Sequence, residues 1–150
     1  WILMMGANEQ CSLVLVMYRE GILGRARFEM NRAIEAAIFE NGTDYLLTAV
    51  KMQDYLNLYE SCPEDRVNPY FAPLLARDFS NMPETLILTA EFDPLRDEGE
   101  DYGKKLAEAG NYVEVHRIKD ALHGFFALGI RFFHVQESFE LINQFLSRRE

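Results

Sequence analysis

The stretch from Pro83 to Pro94 constrains the fold more than any other. Between its prolines runs Thr85-Leu86-Ile87-Leu88-Thr89-Ala90, without a charge. An uninterrupted apolar run of this length, bounded by turn residues, is the pattern of a strand buried on both faces. Such strands belong to parallel sheets covered by helices. The downstream residues agree with that architecture. Asp97 to Ala109 reads as a helix: acidic residues crowd its start, lysines come later, and Tyr102, Leu106 and Ala109 share a face. Gly110 stops it. Tyr112 to Ile118 alternates, with Val113, Val115 and Arg117 on one face and Glu114, His116 and Ile118 on the other. That is a strand nearer the sheet edge. Phe133 to Ser147 reads as a closing helix with Val135, Phe139, Ile142 and either Phe145 or Leu146 inward. Strand, helix, strand, helix is a right-handed α/β unit, so the fold class is α/β with a mostly parallel sheet.

The earlier half is less regular. The apolar run Leu13, Val14, Val16, Met17 and Tyr18 predicts a helix over about Glu9–Glu20, ended by Gly21 or Gly24. Ala26 to Met30 fits a short strand, while Asn31 is placed to cap a helix from Arg32 to Phe39. Asn41-Gly42 is a turn signal. Thr48 is placed to cap a helix reaching Glu60, with Val50, Met52, Tyr55, Leu56 and Tyr59 on one broad face, and Pro63 forbids continuation. Arg66 to Met82 holds Pro69 and Pro73 and no sustained period, so an ordered loop is expected.

Composition excludes several function classes. A chain of 150 residues, 49% of them hydrophobic, has room for one domain with a sizeable core. With a net charge of -9 and scattered Lys and Arg, it lacks the basic face that nucleic acid requires. No apolar run reaches the length of a membrane span, and the short Trp1–Met5 segment has neither basic leader nor cleavage site. Cys11 and Cys62 fall in no metal-binding or redox spacing. No metal or cofactor is expected, and two free thiols fit a reducing cytoplasm.

Two residues stand where chemistry is expected. In open α/β sheets, ligands and reactive groups gather outside the carboxyl ends of the strands. Asp93 lies three residues past Ala90, and His123 a short loop past Ile118. If the two strands are neighbours, the loops meet. A carboxylate accepting from imidazole Nδ1 fixes its tautomer and supports the imidazolium formed during acyl transfer. Gly124 permits a tight backbone after His123. Each residue also has a plainer reading. Asp93 before Pro94 is a common helix start, and a histidine after a strand is often an ordinary loop residue. The order Asp then His matches the later two members of a Ser…Asp…His triad.

The sequence Asn68-Pro69 … Ala72-Pro73-Leu74-Leu75-Ala76 … Met82-Pro83-Glu84-Thr85 … Glu91-Phe92-Asp93-Pro94-Leu95-Arg96-Asp97-Glu98-Gly99 … His123-Gly124-Phe125 resembles the C-terminal part of α/β-hydrolases of the hormone-sensitive-lipase type. These are carboxylesterases and lipases. The resemblance covers about Asp44 to the C-terminus, and its D-P-L-R-D-E and H-G-F elements are distinctive. It implies Asp93 as triad acid, His123 as base, and short or medium acyl esters as substrates.

The departures lie upstream. The 150 residues contain no G-x-S-x-G nucleophile elbow and no H-G-G-G oxyanion loop. Gly6-Ala7-Asn8 resembles the tail of an elbow, a register that puts Met4 in the nucleophile slot. Residues 28–38, where the family has its next strand, read poorly as one. Cys11 lacks elbow glycines and an acidifying neighbour, so it is a poor substitute. The expectation is a single α/β-hydrolase-type domain over residues 1–150, truncated ahead of its elbow. It retains acid and base but no nucleophile, and is inactive alone. The alternative is a non-catalytic binding or oligomerisation module. The partners expected are a small-molecule ester if active, and a second copy meeting through Trp1–Glu40 or a separately supplied N-terminal half.

Overall fold

The computed structural model describes residues 17–18, 36–69 and 71–148. Its centre is strand β2, Thr85–Phe92, whose first six residues are all buried. Chain reversal through helix α3, Arg96–Glu108, brings strand β3, Val113–Leu122, alongside it in parallel. Helix α4, Phe133–Ser147, closes the chain. Strand β1, Met17–Tyr18, lies on the other side of β2, giving the order β1-β2-β3 among the described residues.

The burial of β2 on both faces has a visible cause. Leu86, Leu88 and Ala90 point to one side, where Ile118 and Ala121 of β3, Phe125, and Val135 and Ile142 of α4 complete a core. Ile87 points to the other, against Leu74, Tyr102 and Leu106. Each of the larger side chains stabilises the fold by about 1.5–3 kcal/mol when fully buried. In α4 it is Phe145 that packs against the core, while Leu146 is exposed. Gly110 ends the α3 region with φ 87, a left-handed conformation that costs glycine little.

Several sequence expectations are corrected. β3 does not end at Ile118 but continues through Leu122. Ala90 pairs with Ile118, and the next pair is Phe92 with Leu122, so β3 inserts extra residues in a bulge. Polar Lys119 and Asp120 imitate a turn because they occupy that bulge, where Asp120 adopts φ 58. Met17–Tyr18 is not helical: it pairs antiparallel with Leu86 and Thr85, giving the free side of β2 hydrogen-bond partners. The remainder of the helix expected over Glu9–Glu20, the short strand expected over Ala26–Met30 and the Asn31 cap lie outside the described residues. So do Trp1–Met5 and most of the contact segment expected over Trp1–Glu40.

Helix α1 spans Ala36–Asn41, ending at the turn signal. Helix α2 spans Ala49–Tyr59, and the Thr48 hydroxyl accepts the Lys51 amide as its cap. Met52 is buried against Leu47 and Leu95, but Val50 is 71% exposed. At 3.6 residues per turn, Val50 lies about 200° round the helix from Met52, outside the stripe that faces the protein. Among the described residues between α2 and β2 stand two short 3₁₀ turns, Pro63–Val67 and Pro73–Leu75, each opened by its proline.

Candidate active site

Asp93 and His123 meet beyond the carboxyl ends of β2 and β3. His123 Nδ1 lies 2.8 Å from Asp93 Oδ2. Both residues are buried: His123 is 7% exposed and Asp93 5%. The other carboxylate oxygen of Asp93 accepts the Leu95 amide at 2.8 Å, and the Asp93 carbonyl accepts the Arg96 amide at 3.0 Å. The helix-capping reading of Asp93 is corrected: Leu95 is the N-cap of α3, and no side chain caps it. Asp93 Oδ1 instead closes a local turn on the Leu95 amide just ahead of α3, which fixes the rotamer that aims the second oxygen at the imidazole. His123 directly follows β3, and Gly124 turns the chain away with φ 74. Phe125, buried in the core under α4, anchors the far side of that turn. With Nδ1–H donated to the carboxylate, Nε2 carries the imidazole lone pair, the form a general base requires.

The loops are braced by charged residues whose partners the sequence does not reveal. Arg96 is 9% exposed. Its guanidinium donates to Asp97 Oδ1 at 2.9 Å, to the Glu91 carbonyl at 3.0 Å and to Glu40 Oε2 at 3.0 Å. Burial opposes the charge on Arg96, but the hydrogen bonds to Asp97 and Glu40 outweigh it and hold its pKa above the ordinary value. The other oxygen of Asp97 accepts the Ala37 amide at 2.7 Å, tying α1 to α3. Glu91 Oε2 accepts the Asp120 amide at 2.7 Å across the strand ends. On β3, Arg117 forks onto Glu100 at 2.8 and 2.7 Å, and Thr89 donates to the same carboxylate. That bidentate pairing raises the Arg117 pKa. The D-P-L-R-D-E run is visible in the sequence as a unit, but nothing in it announces that Arg96 reaches back to Glu40.

No described serine sits in a nucleophile turn. The Ser138 and Ser147 hydroxyls donate to carbonyls within α4, at His134 and Asn143. Cys62 is free and exposed, and its hydrogen bond to Glu64 pushes the thiol pKa up, away from thiolate. Met4, Cys11 and Ser12 lie outside the described residues. Among the described residues, no group of three His, Cys, Asp or Glu is arranged to hold a metal ion, and no helix is long and apolar enough to cross a membrane.

Parallel strands linked by a crossover helix, with a buried carboxylate bonded to an imidazole at their carboxyl ends, define the class: an α/β protein with hydrolase-like architecture. The sequence profile of the family described as alpha/beta hydrolase fold matches residues 7–127, and the chain belongs to that family, in its hormone-sensitive-lipase-type esterase and lipase branch. The match begins well before Asp44, where the resemblance read from the sequence set in. The chain is 42% identical over 73 residues to an arylesterase of Saccharolobus solfataricus, a match covering 48% of this chain and 24% of that protein. It is 39% identical over 88 residues to an ethyl acetate hydrolase of Pseudomonas putida, covering 59% of this chain and 28% of that protein. A solved Pyrobaculum calidifontis esterase superposes with a TM-score of 0.69 at 34% identity, covering 74% of this chain and 36% of that one. The chain thus spans about a quarter of the length of the two curated relatives. It is a carboxylic-ester-hydrolase-like α/β-hydrolase.

Proposed function

We propose that Asp93 and His123 are the acid and base of a serine-type carboxylic-ester hydrolase. The nucleophile and oxyanion-hole amides would be supplied by protein outside these 150 residues, either an N-terminal half or a partner chain. The observation that carries this reading is the buried Nδ1–Oδ2 hydrogen bond of 2.8 Å. In the reaction, His123 Nε2 takes the proton of a serine hydroxyl as its oxygen attacks the ester carbonyl. The imidazolium, stabilised by Asp93, then protonates the departing alcohol. Water repeats the cycle on the acyl-enzyme and releases the carboxylic acid. Short or medium acyl esters are the substrate class, in keeping with relatives named arylesterase and ethyl acetate hydrolase. A cytoplasmic setting is in keeping with the free Cys62 thiol.

A second reading has its own observation. With no G-x-S-x-G in the sequence, the chain by itself fits a non-catalytic binding or oligomerisation module. One assay separates the two. The 150-residue chain is expected to hydrolyse p-nitrophenyl butyrate no faster than buffer. Joined behind an upstream segment carrying a G-x-S-x-G elbow and an H-G-G-G loop, it is expected to hydrolyse the ester, and His123→Ala to abolish the activity. A folded but silent joined protein favours the module. A robust rate from the chain alone, lost in His123→Ala, would mean a nucleophile within it.

A further inference from the structure

Asp93 and His123 leave different strands, and their strands fall out of step just before they meet. From the Ala90–Ile118 pair to the Phe92–Leu122 pair, β2 advances two residues and β3 four. The bulge removes Asp120 from the pairing and turns it to φ 58, a conformation unusual for a residue with a side chain. Its amide is received at 2.7 Å by Glu91 Oε2, from the opposite strand. Glu91 lies two residues before Asp93, and Asp120 three before His123. One side chain therefore joins the two arms that deliver the acid and the base. The arm bearing Glu91 is itself held, because the Glu91 carbonyl accepts from buried Arg96, whose own amide donates to the Asp93 carbonyl. Resting on the ester-hydrolase reading, we propose that Glu91 is a positioning residue for the base: by receiving the Asp120 amide it sets the bulge of β3, and so the approach of His123 to Asp93.

The bond needs an acceptor at a fixed reach, not a charge. Gln retains a side-chain oxygen at that distance, whereas Ala retains nothing. The readout is the ¹H NMR signal of the His123 Nδ1 proton in the 150-residue chain, a resonance that survives exchange only while a buried acceptor holds it. The wild type is expected to show this signal, E91Q to keep it, and E91A to lose it or broaden it severely while its circular dichroism stays native. An E91A signal as sharp as the wild type's and at the same position overturns the proposal. Hydrogen exchange at the wild-type Asp120 amide serves as a second measurement that needs no variant. Slow exchange relative to the neighbouring exposed amides is expected, and exchange at the free-peptide rate overturns the proposal. Absence of the Nδ1 signal from the wild type would instead remove the acid–base reading on which the proposal rests. In a catalytically complete joined protein, E91A is expected to lower kcat on the order of 10²-fold with KM little changed, the consequence of misplacing a reacting group by about 1 Å.

Discussion

Arg96 gathers three partners around the turn that carries Asp93: Asp97, the Glu91 carbonyl and Glu40. Removing its guanidinium leaves these acceptors to compete for water in a half-closed setting, and a charge-assisted hydrogen bond in such a place contributes about 1.5–3 kcal/mol. Glu40 is 55% exposed in its side chain, so its share is small. Arg96→Ala is therefore expected to cost about 2 kcal/mol, seen as a lower urea midpoint with an unchanged slope. A loss under about 0.5 kcal/mol, within the range of ordinary surface changes, would contradict the role assigned to Arg96. The same residues show what a sequence can and cannot reveal at this scale. Asp93 and His123 are legible because each comes after a strand signal and is marked by a local breaker, Pro94 or Gly124. The pairings of Glu91 and Arg96 are not, because their partners Asp120 and Glu40 lie 29 and 56 residues away. Nothing local distinguishes such a pairing from a solvated charge.

Among the elements, the contact of α3 with the sheet is the least forgiving. Gly103 sits where an added Cβ would meet Val115 Cγ2 at 2.6 Å and Ile87 Cδ1 at 3.0 Å. Within a helix, Gly→Ala ordinarily stabilises by about 1 kcal/mol. Overpacking against a stiff, β-branched valine costs about 1–3 kcal/mol. The second effect is expected to win, so Gly103→Ala should destabilise by about 1 kcal/mol in a urea melt. A stabilised variant would mean that β3 yields easily at Val115. The boundaries of β2, α3 and α4 are close to those read from the sequence, because the apolar run of β2 lies between Pro83 and Pro94, Gly110 follows α3, and the apolar residues of α4 keep helical spacing along its length. β3 reads too short because a polar bulge resembles a turn when its partner strand is not in view. The inward face of α2 reads too broad, because hydrophobicity alone does not reveal which stripe Leu95 will cover.

For the whole molecule, the described residues expose large apolar side chains in two stretches of the chain. Leu46, Val50 and Leu58 are exposed around α2, and Ile130, Phe132 and Phe133 before and at the start of α4. Surface of this kind favours association when it is contiguous. Light scattering at micromolar concentration is expected to return a mass above the 17.4 kDa of one chain. A clean monomer would contradict that expectation. Whether Asp93 and His123 act together as acid and base is decided by a double-mutant cycle. It uses the hydrolytic joined protein with Asp93→Asn, His123→Ala and both. Each single change is expected to lower kcat/KM on the order of 10³–10⁴-fold, and the double variant to be no slower than His123→Ala alone, as for residues acting through one proton transfer. Losses that multiply, or a joined protein that hydrolyses esters equally well without either residue, would contradict it.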